Sequence, residues 1–162
     1  MYKVLAAATI CAFAAVPACA AEQSDGNVGA NFSSNGTFGL QMEFNISSMV
    51  NDKPVSVQGF IKNYSWKDAG ESWGVTALGA AGIYDLTEKA KLKNPDIHPY
   101  AGAGLMLVGH KWNGVAGAPK YTGVNSGLYV TAGFRYDVTS GMEADFNYNN
   151  FGELTAGMYF IF

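Results

Sequence analysis

The chain has 162 residues, 14% of them charged and 49% hydrophobic, with 10 Lys and Arg against 13 Asp and Glu and a formal net charge of −3. Charge is sparse beside the about 25% of an ordinary soluble domain, and the acidic excess excludes the basic stripe that nucleic-acid binding requires. No nucleic-acid partner is expected.

Residues 1–20 have the pattern of an export signal: Lys3, a twelve-residue apolar run from Val4 to Ala15, and the small-x-small step Ala18-Cys19-Ala20. The run is shorter than the about 20 residues of a membrane helix, which argues against a retained helical anchor. Cleavage after Ala20 would leave residues 21–162 as one domain with 9 basic and 13 acidic residues, net −4. Both cysteines, Cys11 and Cys19, fall in the predicted signal, so neither a disulfide nor a thiolate metal site is expected in the domain. A second reading takes Val16-Pro17-Ala18-Cys19 as a lipidation motif; Ala18 fits it, whereas Val16 and Pro17 do not.

Beyond a polar leader, Asn27 to Ser33 reads as a strand with Val28, Ala30 and Phe32 on one face. Asn35-Gly36 marks a turn, since both residues tolerate positive φ. Thr37 to Ile46 follows with strict alternation: Phe38, Leu40, Met42, Phe44 and Ile46 oppose Thr37, Gly39, Gln41, Glu43 and Asn45. After the Asn51–Pro54 turn, Val55 to Trp66 forms a third strand and Ser72 to Leu86 a fourth, separated by the polar loop Lys67–Glu71. The facing of both strands stays open at this point. Thr87 to Asp96 is a charged connection that could hold one helical turn but is read as a solvated turn, Ile97 to Gly109 is a fifth strand, and His110 to Asn125 is the longest loop, interrupted by Gly114, Gly117, Pro119 and Gly123. Ser126 to Asp137 and Met142 to Asn149 alternate around a Thr139–Gly141 turn. The chain closes on GELTAGMYFIF, with Leu154, Ala156, Met158, Phe160 and Phe162 on one face and Glu153, Thr155, Gly157, Tyr159 and Ile161 on the other.

Eight strands with one oily and one polar face predict an all-β fold, an eight-stranded antiparallel up-and-down transmembrane β-barrel. Lipid offers no hydrogen bonds, so a spanning sheet must close on itself, and about 9–11 residues suffice for a tilted strand to cross. An even count puts both termini on the periplasmic side, with Lys67–Glu71, His110–Asn125 and Asn150–Gly152 as outer loops. Phe44, Phe134, Tyr136, Phe160 and Phe162 would then lie near the inner interface, and Phe38, Tyr148 and Trp73 near the outer one, as two aromatic girdles. A soluble β-sandwich satisfies the same alternation, with Phe134, Phe146 and Phe160 inside a core.

Four segments carry a family resemblance: Ala80–Leu86 (AAGIYDL), Pro99–Leu105 (PYAGAGL), Gly133–Tyr136 (GFRY) and Tyr159–Phe162 (YFIF). With them the chain resembles the small eight-stranded outer-membrane barrels of the opacity-like and OmpA-transmembrane-like group, across all of residues 21–162. The resemblance implies location in the bacterial outer membrane, contact with its lipid and lipopolysaccharide, and insertion by the barrel assembly machinery. The final strand and its aromatics Tyr159, Phe160 and Phe162 would serve as the assembly signal.

The inward faces collect Glu43, Glu143, Asp145 and Glu153 with Arg135 and Lys62. An eight-stranded barrel is barely wide enough for its own side chains, so these six are expected to form a hydrogen-bonded plug with Arg135 as its central cation. A proton or small-ion path along the acids is the alternative. Glu143 and Asp145 share a strand face, a spacing that acid–base chemistry permits but that any polar-in strand also produces. His110, Lys111, Trp112 and Lys120 form a candidate surface loop for lipopolysaccharide phosphates or a host or envelope ligand. A Ser–His–acid arrangement built on His110 and Ser126 would instead suit a lipid A-modifying enzyme, although Lys111-Trp112 after His110 does not match the His-x-Ser spacing of such barrels. His98 and His110 have no acid at ligand spacing, so neither a metal nor a cofactor is expected. The reading is of a non-enzymatic outer-membrane protein of structural, envelope-integrity or surface-interaction role. Lipid A modification and a narrow pore are the alternatives.

Overall fold

A computed structural model describes residues 26–68, 71–113 and 121–162. The predicted signal, the lipidation motif and Lys120 lie outside the described residues. Eight strands form a closed antiparallel barrel: β1 Gly26–Ser33, β2 Phe38–Asn45, β3 Val55–Asp68, β4 Glu71–Asp85, β5 Ile97–Asn113, β6 Tyr121–Thr139, β7 Met142–Asn149 and β8 Leu154–Ile161. Each pairs with the next, and β1 pairs with β8 through Val28↔Phe160 and Ala30↔Met158. Among the described residues no helix is long and apolar enough to cross a membrane. Both ends of the sheet lie at one rim, called here the inner end.

Closure is completed by the chain's last residue. Gly26 N–H donates to the Phe162 carbonyl at 3.1 Å and Phe162 N–H donates back at 2.9 Å. The Phe162 ring meets Phe44 edge-on at 6.1 Å, while Phe134 stacks on Phe146 at 5.3 Å. Leu105, Leu128, Leu154 and Phe160 are at least 59% exposed on the outside of the barrel. Apolar burial is worth about 25 cal/mol per Å², so these side chains belong against hydrocarbon rather than water.

Three expectations are corrected. The His110–Asn125 loop is for the most part strand, because β5 continues to Asn113 and β6 begins at Tyr121, with Trp112 opposite Tyr121 in register. Thr87–Ala90 forms a single helical turn, ended by Lys91 at φ 49°, where a solvated turn was expected. Trp73 shares its face with Val75, Ala77 and Ala81, the lumen-facing row of β4, and so is no part of a lipid-facing girdle. The open facings also resolve. β3 turns Gln58, Phe60 and Lys62 inward, and β4 turns in Ala77, Ala81 and Ile83.

Two glycines admit close approaches. A Cβ on Gly79 would run into the Phe60 ring, and one on Gly104 would overlap the Ala80 carbonyl oxygen of the paired strand. Gly104→Ala is therefore expected to lower barrel stability by about 1–3 kcal/mol, read as a fall in the urea midpoint in detergent. Gly59→Ala, with no heavy atom within 4 Å of the new methyl, should stay within about 0.5 kcal/mol of wild type.

Candidate functional site

The lumen holds the six predicted charged residues, and the structure divides them into two groups instead of one centred on Arg135. At the inner end the Arg135 guanidinium pairs with the Glu43 carboxylate, which also accepts from Ser56 Oγ and, at 3.4 Å, from Gln58 Nε2. Arg135 lies over the Tyr100 ring at 4.7 Å. The Tyr100 hydroxyl donates to Asp145 Oδ1 at 2.7 Å, and Asn147 Nδ2 donates to Asp145 Oδ2 at 2.6 Å. Glu143 stands beside this group, lining an inner vestibule of about 230 Å³ with Arg135, His98 and Asp85. His98 Nε2 meets Asp137 Oδ2 at 3.1 Å at the same rim.

At the outer end Lys62 Nζ meets Glu153 Oε2 at 2.8 Å, both side chains at most 15% exposed. Glu153 also accepts from Asn149 Nδ2 at 2.9 Å and from Asn35 Nδ2 at 2.8 Å. Burial pushes the Glu153 carboxyl upward, but the Lys62 ammonium and these amide donors prevail and hold it below the usual glutamate value. The Lys62 nitrogen also sits 5.9–6.0 Å from the centres of the Phe60 and Tyr129 rings.

Between the two groups the bore is filled. Tyr159, Phe60, Gln58, Asn31, Thr131 and Asp145 are each no more than 2% exposed. The Tyr159 hydroxyl accepts from Asn31 Nδ2 at 2.9 Å and donates to Gln41 Oε1 at 3.1 Å. Gly29 leaves room for the Tyr159 ring. Gly79 likewise leaves room for the Phe60 ring. Of the three proposed assembly aromatics, Tyr159 thus points into the lumen, while Phe160 and Phe162 face outward. Tyr100, Asn31, Gln41 and Gln58 complete the network but carry no charge pattern that sequence reading could single out.

His110 lies on the inner face of β5, its ring 6.4 Å from Trp73. Ser126 is two positions from Leu128 on the outward face of β6, so imidazole and hydroxyl stand on opposite sides of the sheet. Lys111 alternates with its neighbours to the outer face of β5, and Trp112 to the inner. Among the described residues no group of His, Cys, Asp and Glu has a metal-holding arrangement.

A closed eight-stranded barrel with an apolar outer surface and a hydrogen-bonded polar lumen is an outer-membrane β-barrel. Residues 28–159 match the model of the family described as Opacity family porin protein, and the chain belongs to that family of bacterial outer-membrane proteins. Among solved structures it is similar to Neisserial surface protein A, at 22% identity and TM-score 0.57 over 86% of this chain and 94% of that one. It is also similar to the N-terminal β-barrel domain of Pseudomonas aeruginosa OprF, at 16% identity and TM-score 0.55 over 86% of this chain and 100% of that one. No curated protein sequence matches the chain.

Removing one partner of a buried pair leaves the other uncompensated. Lys62→Met is expected to cost about 3 kcal/mol in the same urea assay. Because folding lowers the Glu153 pKa, its contribution is present above the unfolded value of about 4.3 and is lost as pH falls through the folded value. Glu153→Gln should therefore lower the urea midpoint at pH 7, with the gap to wild type closing below about pH 4.

Proposed function

We propose that the protein is a non-enzymatic component of the outer membrane that works by surface contact through its outer loops and hairpins and contributes to envelope integrity as a stable barrel. The observation that carries this reading is an asymmetry. β1, β2, β7 and β8 have 8 residues each, whereas β3 to β6 have 14, 15, 17 and 19 and carry the sheet beyond the rim of the other four. Long outer strands over a packed lumen suit a display scaffold better than a conduit. The partner on this reading is lipopolysaccharide phosphate or a host or envelope ligand, met by the outer hairpins of β3–β4 and β5–β6. Phe160 and Phe162 on the outward face of β8 would be read by the barrel assembly machinery, and residues 1–20 would direct export.

The filled bore argues against a pore, and the opposed faces of His110 and Ser126 argue against nucleophilic catalysis on lipid A. In planar bilayers, neither the wild type nor Arg135→Ala should give discrete conductance steps; steps altered by Arg135→Ala would establish conduction instead. Displayed on a non-adherent Gram-negative host, the wild type should raise attachment to epithelial monolayers. Replacing the β3–β4 and β5–β6 extensions with tight turns should abolish that gain while detergent resistance of the envelope persists. Attachment unchanged by the shortened hairpins would defeat the surface-contact reading. A lipid A mass change that depends on His110 would defeat the non-enzymatic one.

A further inference from the structure

The convex face of the sheet turns from apolar to polar part-way up β3 to β6. In the lower rows the outward positions are Leu78, Leu105, Leu107, Leu128 and Val130, as a lipid-facing wall requires. Higher up, the outward rows become Asn63–Thr76–Gly109–Val124 and Ser65–Gly74–Lys111–Thr122, in which Val124 is the only large apolar residue. Asn63 Nδ2 donates across to Thr76 Oγ1 at 3.1 Å on this face. The concave face stays largely apolar. Val75 and His110 share one inner row with Tyr64, and above them Trp66, Trp73 and Trp112 pair in register as a second. These are the chain's three tryptophans, and Trp66 and Trp73 are 44% and 39% exposed. The upper wall is therefore polar on its convex face, where the wall below it is oily, and aromatic on its concave face.

Below the tryptophans lies a cavity of about 400 Å³, a volume that suits a small molecule. Phe60 and Tyr129, 4.5 Å apart, belong to its lining, with Ala77, Met106, Val108 and Phe151 among its other apolar residues. The charges that border it, Lys62 and Glu153, are already spent on each other and on Asn35 and Asn149. Tyrosines aside, His110 is the one other titratable group among the described residues of the lining, its ring set against Trp73, and a hydrocarbon would meet a mostly apolar wall. Indoles favour boundaries where one side is apolar and the other wet.

From this we infer that the outer vestibule binds the hydrocarbon tail of a single-chain amphiphile taken from the external medium, with the amphiphile's polar head at the row Trp66–Trp73–Trp112. The continuous hydrogen-bonded ladder of β3 to β6 separates that row from the lipid side, so the route in is from above. The inference rests on the surface-exposed orientation of the outer end and adds to it a ligand class.

Its test uses the tryptophans as reporters. The full mature barrel in lipid nanodiscs is titrated with terminally brominated dodecanoic acid, since bromine quenches nearby indole fluorescence. Saturable quenching is expected, relieved by unlabelled dodecanol. Ala77→Phe, which occupies the cavity, should weaken binding at least about tenfold while the boiled and unboiled forms still separate on a gel. Brominated dodecanol and the brominated acid should bind within about threefold, because Lys62 and Glu153 neutralise each other. Quenching that rises linearly without saturation, that unlabelled dodecanol does not relieve, or that a folded Ala77→Phe barrel retains in full would overturn the inference. A preference of about tenfold for the acid would overturn the uncharged character of the site. Should Ala77→Phe fail to fold, relief by dodecanol on the wild type decides alone. Attachment that depends on the hairpins, together with no saturable quenching, would remove this inference and leave the proposed function standing.

Discussion

Backbone hydrogen bonding in a medium without water governs everything else in this molecule. An unpaired amide in hydrocarbon costs several kcal/mol, so a sheet that crosses lipid cannot have an edge. The β1–β8 ladder removes it, and the reciprocal Gly26–Phe162 bonds finish the seam at the inner rim. Once the sheet is closed with eight strands, the bore is narrow and must be filled from both walls. Tyr159, Phe60 and Gln58 do so from β8 and β3, and glycines at Gly29 and Gly79 give the rings their space. Charge in such a bore is costly unless paired or hydrogen-bonded, and Glu143, whose Oε2 has no hydrogen-bond partner, is the exception. Arg135 and Glu43, Lys62 and Glu153, and Asp145 between Tyr100 and Asn147 follow that rule at different heights.

Function follows from what this packing leaves over. The lumen between the two charged groups is packed and its polar side chains are for the most part hydrogen-bonded to one another. What remains is the outer half of β3 to β6, whose convex face turns from apolar to polar while the concave face stays aromatic. The same strands that present Leu107 and Leu128 on their convex face lower down present Lys111 there higher up, with Trp112 on the concave side. A single continuous ladder thus carries two environments, and the boundary between them is written on its convex face.

That change also explains how much could be read from sequence. β1, β2, β7 and β8 were legible within about two residues, because Phe38-x-Leu40-x-Met42 and Leu154-x-Ala156-x-Met158 alternate without interruption. The facing of β4 was not, since Ala77, Gly79 and Ala81 inside differ little in hydropathy from Ala80 and Gly82 outside. In β3, Phe60 and Lys62 share the inward face, and no hydropathy pattern assigns them together. Residues 110–113 look like loop because Lys111 points outward and Trp112 inward, against the pattern of the strand below, and residues 121–125 because Thr122 and Gly123 interrupt the apolar alternation. The charged lumen residues were recognisable by type and by face. Their division into two groups was not, because it depends on strand stagger and on Tyr100 and Asn149, which reach them from other strands.

The most direct test is labelling of single cysteines with a membrane-impermeant maleimide on intact cells, in a mature chain whose sequence supplies no other thiol if residues 1–20 are removed. Thr122 and Leu128 lie on the same outward face of β6, the first in the polar rows and the second in the apolar band. Thr122→Cys should label readily, and Leu128→Cys should label only after the membrane is dissolved. Equal labelling of both on intact cells would place Leu128 in water and contradict the account of a lipid-facing wall that turns polar above it.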